Sequence, residues 1–255
     1  MGKAIIGGTG VYKAGNIVTK KVVDTMYGQV ELDILDIDGE DIVFLARHGK
    51  DHSVPPHLIN YRANMMALKR AGVEYIYSTV AVGSCNENYK PGDIVVIEDF
   101  LDFTKSRPLT FFEGGNEPVR HVDMSHPYCK NLIDRFYDMA KREGLVIGGS
   151  GVYVCTEGPR FETAQEIQMF KRLGGDVVGM TNVPEVVLAK ELGICYSAIG
   201  IVSNWCTGMA GEITLHDIQG TIEANRERLT QVFMEVFREG LNKDNCNCSN
   251  SLMEL

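Results

Sequence analysis

The sequence predicts a single α/β domain with a mixed, twisted central β-sheet flanked by helices. Short apolar runs alternate along the chain with amphipathic stretches of helical period. Several of the short runs are almost continuously hydrophobic, as in strands that are covered on both faces. The length of 255 residues also suits one large α/β domain.

The pattern places the secondary-structure elements in order along this domain. Strands are predicted at residues 4–7, 30–37, 41–46, 75–80, 93–97, 151–155, 176–180 and 195–202. Helices are predicted at residues 61–71, 128–143, 163–173, 184–192 and 215–239. The domain is expected to span residues 1–242, and a polar C-terminal tail is expected at 243–255.

Composition narrows the class of protein. Hydrophobic residues make up 44% of the chain and charged residues 23%, which is ordinary for a folded domain with a full core. The net charge of -9 disfavours nucleic-acid binding, which needs clustered Lys and Arg. The sequence shows neither a targeting segment nor an apolar stretch of about 20 residues. A soluble, cytoplasmic protein without a membrane partner is expected.

Cysteine usage divides into two groups. Five of the seven cysteines fall in predicted core segments and are expected to be reduced and buried. Cys246 and Cys248 instead lie in the polar tail. We expect either a mobile tail with two unreacted thiols or a local disulfide. Adventitious metal binding is a further alternative, but two ligands do not make a zinc site.

A glycine cluster follows the first predicted strand, with the sequence Gly7-Gly8-Thr9-Gly10. Glycines after a strand let backbone N–H groups approach an anion, and the Thr9 hydroxyl adds a donor. The cluster therefore indicates a phosphate site. A dinucleotide-binding loop is disfavoured because the third glycine of that motif is missing. A plain tight turn remains open as an alternative.

A basic pair, Arg47-His48, follows the third predicted strand. Ligands of α/β sheets gather at the carboxyl ends of strands, and the planar Arg fork suits a phosphate. A surface arginine in a salt bridge, beside a structural histidine, is the alternative for this pair.

Further motifs follow in a fixed order and complete a family pattern. The chain resembles the trimeric purine nucleoside phosphorylases, and among them the methylthioadenosine phosphorylase-like branch. The resemblance covers residues 7 to about 214. It rests on Gly7-Gly8-Thr9-Gly10, Arg47-His48-Gly49, Asn60-Tyr61-Arg62-Ala63-Asn64, Ala81-Val82-Gly83-Ser84, Pro91-Gly92-Asp93, Glu157-Gly158-Pro159-Arg160-Phe161-Glu162-Thr163 and Gly179-Met180-Thr181-Asn182-Val183-Pro184-Glu185.

This resemblance implies a nucleoside phosphorylase fold, a homotrimer and active sites near the subunit interfaces. It implies phosphorolysis, in which a nucleoside and inorganic phosphate give a free base and a ribose 1-phosphate. Phosphate is then a co-substrate, and neither a metal nor an organic cofactor is expected. The implied phosphate-binding residues are Thr9, Arg47, His48, the backbone around Val80 and Ala81, and Thr181. Relatives often have a hydroxyl side chain at the position of Val80.

The resemblance also assigns the residues around the nucleoside. Met180 is expected against the ribose, and His121 is expected to reach into a neighbouring subunit's site. Leu215 and Ile218 are placed near the 5′ end of the sugar. Their apolar side chains favour a methylthio group, but the adjacent His216 leaves a 5′-hydroxyl open. Tyr153, Phe161, Trp205 and Cys206 complete the implied substrate-binding set.

Two side chains are expected to determine which purine base the protein accepts. Family members that act on 6-aminopurines place Asp where this chain has Asn204, and an Asn amide can donate to O6 of a 6-oxopurine. Glu162 can accept the N1–H of hypoxanthine or guanine, whereas adenine has a lone pair at N1. Together with His48, these two residues are expected to carry the chemistry.

The sequence therefore predicts a purine-salvage pentosyltransferase. Its expected substrates are 6-oxopurine nucleosides, namely inosine and guanosine, with 5′-methylthioinosine left open. A methylthioadenosine phosphorylase of the same fold is the first alternative. A non-catalytic nucleotide-binding protein is the second.

Overall fold

A computed structural model describes residues 2–7, 16–37, 39–49, 53–115, 118–210, 215–244 and 246–254. The strands are β1 (Gly2–Gly7), β2 (Asn16–Thr25), β3 (Gly28–Ile37), β4 (Glu40–Ala46), β5 (Val73–Ser84), β6 (Ile94–Phe103), β7 (Arg120–Val122), β8 (Gly149–Thr156), β9 (Val177–Gly179), β10 (Cys195–Trp205) and β11 (Leu252–Glu254). The helices are α1 (Tyr61–Arg70), α2 (Lys130–Arg142), α3 (Ala164–Arg172), α4 (Asn182–Glu191) and α5 (Leu215–Arg238).

Nine strands form one mixed sheet in the order β10-β6-β8-β9-β5-β1-β4-β3-β2. The core ladders of β1 with β4 and of β5 with β1 and β10 are parallel, whereas β2, β3 and β4 are joined by antiparallel ladders. The predicted α/β domain with a mixed sheet is confirmed. An additional pairing of β10 with β5 closes the strands β5, β9, β8, β6 and β10 into a ring, which local sequence patterns did not indicate.

The predicted helices begin and end within two residues of those in the structure. Helix α5 packs on the sheet through aromatic side chains. The Phe233 ring stacks on Tyr77 of β5 at a centroid distance of 4.6 Å and an interplanar angle of 3°. The Tyr77 hydroxyl donates to the Leu132 carbonyl oxygen at 2.7 Å, so burial of this ring leaves its polar group satisfied.

The prediction missed β2, which is an outer strand of the sheet. Val18 and Val22 of this strand are exposed, and Lys20 and Lys21 lie between them. Edge strands that face water carry such charged residues, and the charges hide the apolar pattern that marks a buried strand.

The described residues of the C-terminal segment, which the sequence pattern set apart as a polar tail, pack on the domain. Strand β11 pairs with β7 and places Met253 opposite His121. Cys248 and Ser251 are buried, and the Ser251 hydroxyl lies 3.1 Å from the Lys190 carbonyl oxygen. A polar composition was compatible with this packing because backbone pairing and a few buried side chains hold the segment.

None of the helices in the described ranges contains an apolar stretch of the length that a membrane span requires.

Candidate active site

The carboxyl ends of three neighbouring parallel strands meet at one edge of the sheet. Gly7 of β1 lies in register with Ala46 of β4, and the Arg47 backbone N–H donates to the Gly7 carbonyl at 3.0 Å. On the other side of β1, Ile6 lies opposite Ser78 of β5. The start of the glycine cluster and the basic pair therefore adjoin in space. Thr9 lies outside the described residues.

Arg47 is buried and forms a bidentate ion pair with Glu185 of α4. Its Nε donates to Glu185 Oε2 at 2.7 Å, and Nη2 donates to Oε1 at 2.9 Å. Further bonds run from Nη2 to Ser78 Oγ and from Nη1 to the Thr79 carbonyl. Burial lowers the pKa of Arg47, but the charge of Glu185 and its hydrogen bonds raise it above the ordinary value overall. The alternative for Arg47 was a surface arginine in a salt bridge. Arg47 does form a salt bridge, but the pair is buried.

Within the described residues, a gap in the backbone pairing of β5 lies beside this ion pair. On one edge, the described part of the chain pairs β5 with β1 as far as Ser78 and next with β9 at Gly83. Backbone groups alternate in direction along an extended strand, so the Ala81 N–H faces the same edge as the Thr79 carbonyl. The same alternation turns the Val80 N–H toward β10, where Gly200 is its register partner. Ala81 is consequently the better placed amide donor.

His48 and Thr181 border the same strand ends. His48 Nδ1 lies 2.8 Å from the Val54 carbonyl oxygen, so this nitrogen carries the ring proton. Thr181 is buried and precedes α4, in which Val183 departs from helical geometry with φ -111° and ψ 127°. Beyond this break, Glu185 ties the start of α4 to Arg47.

Tyr153 lies behind Thr181, one of the residues predicted to bind phosphate. Its ring is fully buried, and its hydroxyl accepts the Thr181 backbone N–H at 3.1 Å. The hydroxyl also lies so close to Gly179 that a Cβ there would approach it to 2.3 Å. The predicted contact of Tyr153 with the base stays a prediction. Tyr153 positions Thr181.

Asn204 lies at the carboxyl end of β10 with its amide orientation fixed by two neighbours. Nδ2 donates to the Trp205 carbonyl at 2.8 Å, and Oδ1 accepts from Ser203 Oγ at 2.7 Å. A carbonyl can only accept, so the atom that faces Trp205 must be the nitrogen. Nδ2 carries a second N–H, which leaves one donor of Asn204 for a ligand.

Glu162 and Asn204 both lie in the neighbourhood of Cys206. The Thr156 hydroxyl donates to Glu162 Oε1 at 2.6 Å, and no described residue bonds to Oε2. Burial raises the pKa of Cys206, and the nearby charges of Cys85 and Glu162 add to the shift. A Cβ on Gly83 would lie 2.9 Å from Cys206 Sγ and 3.2 Å from Asn204 Nδ2. Asn204 therefore lies beside Cys206, and the Glu162 carboxylate is close enough to act electrostatically on the Cys206 thiol.

A cleft of about 310 Å³ opens beside Glu162 and is lined by Phe103, Thr156 and Gly158 among others. Its size falls at the lower end of the range for small-molecule sites.

At Gly158, φ is +66°, and a Cβ would come within 2.6 Å of Met180 Sδ. Glycine therefore allows the half-buried Met180 thioether to pack on the backbone. Phe161 is 49% exposed and Trp205 half-buried, so both side chains retain surface for a ligand.

Arg107 is a site-organising residue that sequence reasoning missed. It is buried and donates to the Tyr61 hydroxyl and to the carbonyls of Val183, Thr156 and Glu157. These bonds tie the end of β8 to the start of α4. Arg107 lies between Ser106 and Pro108 in a loop, and no local pattern separates it from a surface arginine.

Three further residues were predicted to contact the substrate, namely His121, Leu215 and Ile218. His121 is exposed on β7, where Met253 of β11 is its register partner. Leu215 and Ile218 lie in the first turn of α5, but their side chains are outside the described set.

The fold and these strand-end residues define an α/β enzyme of the nucleoside phosphorylase type. The chain belongs to the Phosphorylase superfamily, whose family profile matches residues 3–238. It is accordingly a pentosyltransferase.

Similar proteins include curated relatives and solved structures. The chain is 47% identical to a probable 6-oxopurine nucleoside phosphorylase of Moorella thermoacetica, with 96% of each chain covered. It is 43% identical to the 6-oxopurine nucleoside phosphorylase of Pyrococcus furiosus, over 98% of this chain and 97% of the other. A crystal structure of a mutant adenosine/methylthioadenosine phosphorylase from Schistosoma mansoni superposes with a TM-score of 0.88 at 30% identity. That comparison covers 95% of this chain and 93% of the other.

Proposed function

We propose that this protein cleaves 6-oxopurine nucleosides with inorganic phosphate, giving the free base and a ribose 1-phosphate. The observation that carries the proposal is the convergence of Glu162 and Asn204 around Cys206. One residue offers a carboxylate oxygen, and the other offers an amide N–H. These groups match the N1–H and O6 of hypoxanthine and guanine. The family relatives named above support the same base class.

Phosphate binds, in this proposal, at the gap in β5 beside Arg47. The donors are the Ala81 backbone N–H, the Thr181 hydroxyl and the Nη1 N–H of Arg47 that does not bond to Thr79. His48 donates through Nε2 in its protonated, imidazolium form. Thr9, which lies outside the described residues, is assigned a hydroxyl contact by the family resemblance. Because Glu185 already neutralises much of the Arg47 charge, backbone and hydroxyl donors carry much of the binding.

The reaction then proceeds by positioning and electrostatics. The bond between C1′ and the purine nitrogen lengthens, and its electron pair passes to the base as the ribose becomes oxocarbenium-like. The phosphate oxygen forms the new bond to C1′, so no covalent enzyme intermediate is needed. Asn204 donates to the base as negative charge grows on O6 and N7, while Glu162 holds N1–H. Met180 packs against the ribose.

A substrate panel tests this function. Phosphate-dependent release of base is measured with inosine, guanosine, adenosine, 5′-methylthioadenosine and 5′-methylthioinosine. We expect kcat/KM for the best oxopurine substrate to exceed that of both aminopurines by at least about a hundredfold, because a mismatched polar base edge leaves buried groups unpaired. Faster turnover of methylthioadenosine than of every oxopurine would contradict the proposal. No cleavage at all would favour the non-catalytic alternative.

A matched pair of variants strengthens the panel. Glu162→Gln removes the charge that accepts N1–H, and we expect inosine kcat/KM to fall by about 10- to 100-fold. Glu87→Gln changes an exposed acid paired with Lys171, and we expect it to leave the value unchanged. Equal effects of both substitutions would show that Glu162 does not recognise the base.

The proposal also covers the oligomeric state, the cellular location and the cofactor requirement of the enzyme. A homotrimer in which His121 completes a neighbouring site follows from the family resemblance, and its mass in solution tests it. A cytoplasmic location fits seven free thiols, because reduced cysteines are typical of that compartment. The chemistry described needs neither an organic cofactor nor a catalytic metal.

A further inference from the structure

Four cysteines from three separate segments meet away from the candidate active-site residues. Cys129 precedes α2, Cys195 begins β10, and Cys246 and Cys248 belong to the C-terminal segment. Their Sγ atoms all lie within 4.8 Å of one another. We refer to these four residues as the four-cysteine cluster.

We propose that the four-cysteine cluster is a structural zinc site in which four thiolates bind one Zn²⁺ tetrahedrally. Zn–S bonds are about 2.3 Å long, so the ligand sulfurs of a tetrahedral site lie about 3.8 Å apart. Cys195 Sγ and Cys246 Sγ are 3.4 Å apart, and no pair in the cluster exceeds 4.8 Å. Sulfur shifts of about an ångström or less would therefore complete the tetrahedron.

The thiols face one another rather than separate apolar neighbours. Cys248 contacts the thiols of Cys129, Cys195 and Cys246, and Cys129 also contacts Cys195. A buried cysteine commonly packs as a small hydrophobic side chain. Such packing explains one thiol at a time, but it does not require four sulfurs to converge on a common point. Tetrahedral sulfur ligation is typical of zinc.

The surroundings can balance the negative charge of a zinc ion with four thiolates. Cys129 is the N-cap residue of α2. The positive end of that helix thus faces the site. Lys190 is buried, interacts electrostatically with Cys248, and donates through Nζ to the His126 carbonyl. Such outer contacts orient and stabilise metal ligands.

Burial and connectivity indicate a structural role. Cys129, Cys195 and Cys248 are buried, whereas Cys246 is half-buried and gives a path for metal entry. The ion would tie the C-terminal segment to β10 and α2. Strand β11 begins four residues after Cys248 and pairs with β7, which carries His121. Zinc would therefore also help to hold β7 in place.

Metal content gives the first test. The full chain is produced without a polyhistidine tag, purified without chelator under mild reducing conditions, and analysed by inductively coupled plasma mass spectrometry. We expect about one zinc per chain. Replacement of zinc by Co²⁺ should give the intense visible bands of a tetrahedral thiolate complex. A metal-free protein that takes up neither ion would overturn the proposal.

Matched serine variants localise the site. Cys246→Ser changes the most accessible ligand and should reduce zinc to below about 0.1 per chain. Cys85→Ser is the control, since Cys85 is buried outside the cluster and serine retains a donor to the Gly175 carbonyl. This variant should keep the zinc of the wild type. Equal zinc in both variants would contradict ligation by the cluster.

A measurement on the wild-type chain covers the case in which Cys246→Ser does not fold. Chelation should lower the melting temperature by several degrees, and added Zn²⁺ should restore it. All seven cysteines should titrate as thiols after denaturation with chelator and without reductant. Disulfides within the cluster, found by mass spectrometry of freshly purified protein, would overturn the zinc assignment.

Discussion

The guanidinium of Arg47 and the carboxylate of Glu185 form a buried bidentate pair, although the two residues are 138 positions apart in the chain. The pair joins the end of β4 to the first turns of α4, directly beside the gap in β5. It therefore links the stability of the domain to the proposed phosphate site. Replacement of either partner leaves the other charge buried without its counter-ion.

Glu185→Gln should lower the free energy of unfolding by about 3–5 kcal/mol, because it leaves the Arg47 charge uncompensated. Phosphate should then raise the melting temperature of this variant more than that of the wild type, since the anion restores a partner to Arg47. The measurement is thermal unfolding with phosphate, with chloride at equal ionic strength as control. Equal phosphate shifts in both proteins would show that Arg47 is structural and does not reach phosphate.

Asn204→Asp should lower inosine kcat/KM and shift the preference toward 6-aminopurines. The Trp205 carbonyl faces the side-chain nitrogen of Asn204, so a carboxyl there must be protonated to keep this hydrogen bond. Activity of the variant on adenosine should therefore decline as pH rises, because deprotonation places an anion against a carbonyl oxygen. Steady-state kinetics against pH test this. An unchanged ratio of inosine to adenosine kcat/KM would show that Asn204 does not contact the base.

Tyr153→Phe should raise the KM for phosphate about fivefold. The change removes the hydroxyl that accepts the Thr181 backbone N–H, and a lost hydrogen bond costs about 1 kcal/mol. Tyr77→Phe is the matched control, because its hydroxyl bonds to Leu132 on the α5 side of the sheet. A rise in nucleoside KM with unchanged phosphate KM would instead support the original expectation that Tyr153 contacts the base.

Glu166→Gln should destabilise the protein by about 1 kcal/mol, because it removes the negative charge that pairs with Arg160 and lies in the first turn of α3, although glutamine can still close the capping box. Hydrogen bonds from Arg160 and from the Thr163 backbone lower the pKa of Glu166 to about 2, from an ordinary value of 4.5. The folded pKa lies below the unfolded one, so the charged form stabilises the fold above about pH 4.5. This contribution is lost as the pH falls toward 2.

Melting temperatures of the wild type and Glu166→Gln, measured from neutral pH down to about pH 2, test this direction of the pH dependence. The difference should be largest near neutral pH and shrink in acid. A difference that grows as the pH falls would mean that the cap does not depend on the charged carboxylate.

The sequence alone determined the α/β class, the helix bounds within two residues, and the ordered motifs that carry Arg47, Glu162, Thr181 and Asn204. Periodicity and strand-end motifs are local, so they are readable without the fold. Only the tertiary structure decided the partner of Arg47, the burial of Tyr153, the role of Arg107 and the meeting of Cys129 with Cys248. These relations depend on which strands and helices become neighbours. Neighbours that lie tens of residues apart leave no local pattern in the chain.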